Sequence, residues 1–168
     1  MKKLILISFT LLGQLSLATE TNSPVDIKTT FAELDKLKEV LKDISPRIKA
    51  FDQSLDDGSY KKLNPEEKAL LDEAEVVRGV AISKAEKATK ALNLADPKSP
   101  LLGDINVVTQ LKDYFLFFQD FSGGIDLCNN VRPALEIYIK DLKIKNPKAK
   151  ADQRILDCIK FEAEEGQH

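Results

Sequence analysis

From Leu34 to Leu55 the apolar residues Leu34, Leu37, Leu41, Ile44, Ile48, Phe51 and Leu55 recur at alternating steps of three and four. That period lays them on one stripe of an α-helix, and a strand, with its period of two, cannot use it. Ile27 and Phe31 lead into the stripe, and Ser23-Pro24-Val25-Asp26 offers Ser23 as N-cap with Pro24 at the first helical position. Pro46 removes one backbone donor, which predicts a kink or split near Asp43. Asp56-Asp57-Gly58-Ser59 closes the segment.

The rest of the chain repeats this grammar. Asn64-Pro65-Glu66-Glu67 reads as a capping box, with Pro65 at the first position and Glu67 reaching back. The buried face of this second helix is expected at Leu71, Ala74, Val77, Ala81, Ala85, Ala88 and Leu92. So many alanines either admit a close neighbour or leave room for something that is not side chain. Asp96-Pro97 and Ser99-Pro100 mark a break, and a third helix is expected over Leu101–Ser122, ended by Gly123-Gly124. Its first half carries Leu101, Ile105, Val108 and Leu111 on one side. Its second half, Tyr114-Phe115-Leu116-Phe117-Phe118 with Phe121, is apolar all round. Such a segment is either central in a bundle or the wall of an apolar cavity. A fourth helix is expected over Asp126–Lys145, with Pro133 as a kink or late start. A fifth is expected over Lys148–Glu164. No strand pattern competes. Short connections make the expected fold all-α, an antiparallel bundle of about five helices with the first and fourth kinked.

The first eighteen residues read differently. Met1-Lys2-Lys3 is a basic start, Leu4 to Leu12 is mostly apolar, and Ser16-Leu17-Ala18 places small residues before a cut after Ala18. This is the pattern of a secretory signal peptide (residues 1–18), leaving 19–168 as one secreted domain, large enough for its own core. Cleavage removes Lys2 and Lys3, so the mature chain holds 23 basic against 27 acidic side chains, a net charge of −4. That balance argues against a nucleic acid partner and against an anionic membrane surface. No later segment is long and apolar enough to span a bilayer, and no Asn-x-Ser/Thr acceptor occurs. In a secreted chain, Cys128 and Cys158 are expected to form one disulfide; a metal site or a reactive thiol are the alternatives. The lone histidine, His168, is the last residue.

No Ser/His/Asp set, HExxH, CxxC, GxGxxG or P-loop occurs, so neither catalysis nor a cofactor or metal is expected. Lys145, Lys148 and Lys150 form a basic cluster at a loop, and Glu162, Glu164 and Glu165 an acidic tail; both read as solvated.

Three passages resemble the fungal hydrophobic-surface-binding protein and cell-wall mannoprotein family. These are Ile48-Lys49-Ala50-Phe51-Asp52 after the opening helix, Ala91-Leu92-Asn93-Leu94-Ala95-Asp96 before the central helix, and the central helix with Val108 and Leu111. The chain differs from that family's Ala/Ser/Thr-rich, cysteine-free pattern in its 31% charged residues and in Cys128 and Cys158. Tyr60 to Leu71 is similar to a stretch of nematode fatty-acid- and retinol-binding proteins. Both likenesses imply a secreted helical protein, free or held at a cell wall, non-enzymatic, that meets fatty acids, other amphiphiles or hydrophobic surfaces. On that reading an acyl chain lies between the second and third helices. Ala81, Ala85, Phe115, Phe118 and Phe121 form the site, Leu111 and Tyr138 lie beside it, and Tyr114 or Tyr138 offers a hydroxyl to the head group. The alternative is a secreted helical interaction module, such as an effector, an inhibitor or a cell-wall component, using exposed helix faces against a protein partner.

Overall fold

The computed structural model of the chain describes residues 26–96, 98–122 and 125–165. Among them are five α-helices and no strand: α1 (Ile27–Asp56), α2 (Pro65–Ala91), α3 (Ile105–Ser122), α4 (Ile125–Lys145) and α5 (Gln153–Glu165). Two 3-10 turns join them, at Ser59–Lys62 and Pro100–Gly103. The signal-peptide segment, the Ser23-Pro24 start, the Gly123-Gly124 stop and His168 lie outside the described residues.

Local chemistry explains the boundaries. The cap of α1 is Asp26, whose carboxylate accepts from the Lys28 amide at 3.2 Å and the Thr29 hydroxyl at 2.9 Å. Asn64 accepts from the Glu67 amide at 2.9 Å, and Glu67 accepts from the Asn64 amide at 3.2 Å, completing the capping box of α2. Asn93 turns the chain out of α2 with a left-handed φ of 48°, which a short amide side chain tolerates.

Two helix starts are corrected, and at two prolines the alternatives narrow. The helix α1 is not split: its helical run passes through Pro46, whose exposed position leaves the lost backbone bond to water. Pro133 likewise lies inside α4 and does not delay its start. The third helix begins at Ile105 instead of Leu101, because Asp104 accepts from the Asn106 amide at 2.9 Å and caps it there. The fifth begins at Gln153 instead of Lys148, because the Asp152 carboxylate accepts from the Arg154 amide at 2.9 Å.

The stripe of α1 is buried at Leu34, Leu37, Leu41, Ile44 and Ile48, whereas Leu55 stands exposed and Ser54 takes the inward position. It packs mainly on α2, while α3 packs on α4, and contacts of α2 with α4 and α3 join the two pairs into one core. Asn130 of α4 fixes that junction. Its amide donates to the Glu86 carbonyl at 2.9 Å and to the Thr89 hydroxyl at 3.2 Å. The Cys128–Cys158 disulfide, across a Cα–Cα distance of 5.7 Å, ties the start of α4 to the middle of α5.

Arg154 adds a polar tie from α5 to α3. Its guanidinium donates to Asp152 at 2.7 Å and 3.0 Å, to the Leu116 carbonyl at 3.3 Å, and to Asp120. The hydrogen bond from Arg154 holds the Asp152 carboxyl below its ordinary pKa of 3.8. A depressed carboxyl stabilises the fold above its unfolded pKa and loses that contribution as pH falls through its folded pKa. Arg154→Met is therefore expected to cost about 1 kcal/mol at neutral pH, with the difference shrinking as pH falls below 3.8. Thermal unfolding of both proteins across pH checks this; a gap that does not change with pH contradicts it.

Candidate functional site

The eight residues that the resemblance assigns to an apolar site do not share one environment. Ala81, Ala85, Leu111, Tyr114, Phe115 and Phe118 are buried within the common core, Ala85, Leu111 and Phe118 at 0% exposure. Phe121 and Tyr138 are half-buried at its edge. The alanines of α2 occupy the face through which that helix meets its neighbours. The Tyr114 hydroxyl donates to the Asp35 carboxylate at 2.9 Å, with the Phe31 carbonyl as a second acceptor 3.2 Å away. Burial, reinforced by Asp35, pushes its ionisation well above the usual phenol range. Lys38 sits 5.2 Å from the Tyr114 ring centre and 5.3 Å from that of Phe117. Phe117 in turn packs on Phe121, at 5.2 Å between ring centres. These contacts make the aromatic half of α3 a packed seam between helices.

A cleft opens elsewhere, between the α2–α3 connection and the outer face of α4. It is an open surface depression with a volume of about 610 Å³. Leu94, Pro100 and Leu102 line it from the connection, and Pro133 and Ile137 from α4. Lys98 and Lys140 line it too, both exposed, and Glu136 is the acidic group among its lining residues.

The connection is not a loose loop. Asp96 accepts from the Lys98 amide through its carboxylate and from the Ser99 amide through its carbonyl, each at 2.9 Å. The Ser99 carbonyl accepts from Leu102 at 3.1 Å, which starts the 3-10 turn. Gly103 closes that turn, and a Cβ added there would meet nothing within 4 Å. The cleft therefore joins apolar side chains to two lysines and one carboxylate, a net positive charge beside an apolar strip.

Part of this lining, Ser99, Pro100 and Pro133, falls where the sequence shows only punctuation. Ser99-Pro100 marks a break, and only the folded chain shows that the break becomes a turn set against α4. Leu94 and Ala95 belong to the Ala91–Asp96 passage that carries one of the likenesses, and both line the cleft. Among the described residues, no three His, Cys, Asp or Glu side chains come together as a metal site. Nor, among those residues, is any helix long and apolar enough to cross a membrane. Comparison with protein-family models, with curated proteins and with solved structures finds no match for this chain.

Proposed function

We propose that this protein is a secreted, non-enzymatic binder of amphiphiles, taking the acyl chain of a fatty acid into the cleft between the Pro100–Gly103 turn and α4. The observation that carries this reading is the cleft itself, apolar along Leu94, Leu102, Pro133 and Ile137, with Lys98 and Lys140 outnumbering the one acidic side chain, Glu136. Each methylene buried there contributes roughly 0.8 kcal/mol, and the carboxylate lies toward the two lysines. The Met1–Ala18 pattern and the Cys128–Cys158 disulfide support the extracellular setting. The likeness to hydrophobic-surface-binding and cell-wall proteins agrees with the same class of ligand.

Titration calorimetry with dodecanoate and with 1-dodecanol tests the head-group assignment. Lys98→Gln or Lys140→Gln is expected to weaken dodecanoate about fivefold and to leave the alcohol unchanged. Equal losses for both ligands, or no binding of either by the parent protein, would contradict the reading.

A second reading, an interaction face for a protein partner, is favoured by Val76 and Val80. They stand one turn apart on α2, 65% and 41% exposed. It becomes the preferred account if neither ligand binds.

A further inference from the structure

The face of α4 that lines the cleft continues past it. Pro133, Ile137 and Lys140 line the cleft, and the same steps of four and three bring Ile144 onto that face one turn further on. Among the described residues Ile144 is the most exposed of the large apolar side chains, at 81%. Residues 137–151 around it carry five lysines and a single acidic residue, Asp141, a net of +4, in a chain whose net charge is −2. All five lysines are exposed. Lys145 pairs with Asp141 at 2.9 Å. Lys140, Lys143, Lys148 and Lys150 make no ion pair among the described residues. Net charge taken over the whole chain hides this separation: the end of α4 and the start of its connection to α5 carry exposed lysines on both sides of Ile144 in sequence, with Ile144 exposed among them.

We propose that this end of the molecule docks on an anionic lipid surface, with Ile144 entering the interface and the lysines lying against the head groups. Charge complementarity selects the partner, because several unpaired lysines around an exposed aliphatic side chain match a negatively charged bilayer surface. Lys140 belongs to both features, so a docked molecule holds the cleft next to the lipid. As the place where an acyl chain is collected, this surface rests on the amphiphile reading; the contact itself needs only the lysines and Ile144.

Co-sedimentation of the full chain with vesicles tests the contact. With about 30% phosphatidylserine in phosphatidylcholine, at about 0.1 M salt, the protein is expected to bind and pure phosphatidylcholine to leave it in solution. Each of Lys143→Gln, Lys148→Gln and Lys150→Gln is expected to lower partitioning about fivefold, and the triple variant about a hundredfold. Ile144→Asp is expected to abolish binding while unfolding at the parent temperature, since the side chain is exposed. Equal binding to neutral vesicles, no binding to either, or equally tight binding to a DNA oligomer would overturn the proposal. Dodecanoate uptake without vesicle binding overturns this surface and leaves the cleft reading standing. Vesicle binding without uptake supports the surface and removes the cleft.

Discussion

Phe118→Ala is expected to lower the free energy of unfolding by about 3–5 kcal/mol. Phe118 is 0% exposed in α3, with the Phe117 ring set edge-on 5.4 Å away between centres. Removing a ring from a packed interior forfeits its transfer free energy and leaves a cavity that rigid helices fill only in part. For a domain whose total stability is about 5–15 kcal/mol, that is a large share. Phe121→Ala, at the half-buried edge of the same helix, is expected to cost clearly less. Urea denaturation of both variants checks the contrast. Equal losses, or a loss below about 1 kcal/mol for Phe118, would mean that α3 is not central to the core.

Cys128→Ser combined with Cys158→Ser is expected to be the second large effect. The bond joins residues separated by 30 positions, and releasing a loop of that length restores about 3–4 kcal/mol of chain entropy to the unfolded state. For a domain of this size the melting temperature should fall by about 10 °C. The thirteen-residue α5 is the element most exposed to the loss, being held to α4 by the bond and to α3 by Arg154. Fraying of α5 ahead of global unfolding, seen as faster amide exchange at Ile155 and Ile159, is the accompanying sign. An unchanged melting temperature would mean that Arg154 and Ile155 alone secure that helix.

Much of the fold was legible because its signals are local. The stripe from Leu34 to Ile48 needs only helical spacing, and the Asn64/Glu67 box needs only four consecutive residues. The misplaced starts of α3 and α5 have one cause. The expected openings at Leu101 and Lys148 follow a break signal, while Asp104 and Asp152 provide the caps a few residues later. The Phe-rich half of α3 posed a question that periodicity cannot answer, since a core helix and a cavity wall share one composition. Burial of Phe115 and Phe118 and the bond from Tyr114 to Asp35 place it in the core. The cleft was not legible. Its lining comes from two stretches about forty residues apart, each ordinary alone, and it exists only because the Pro100–Gly103 turn lies against α4. The cationic end of α4 was visible as lysines but not as a surface, because only the fold shows that the Ile144 among them stands in water.

The most direct test of the central claim is native mass spectrometry of the protein with dodecanoate, alongside Gly103→Phe. Gly103 lines the cleft, and a side chain there has open space before it. The variant is therefore expected to fold as the parent does while adding an aromatic ring at the rim of the cleft. The account predicts a one-to-one complex with the parent protein and none with Gly103→Phe at the same melting temperature. Equal uptake by both proteins would place the acyl chain elsewhere and contradict the account.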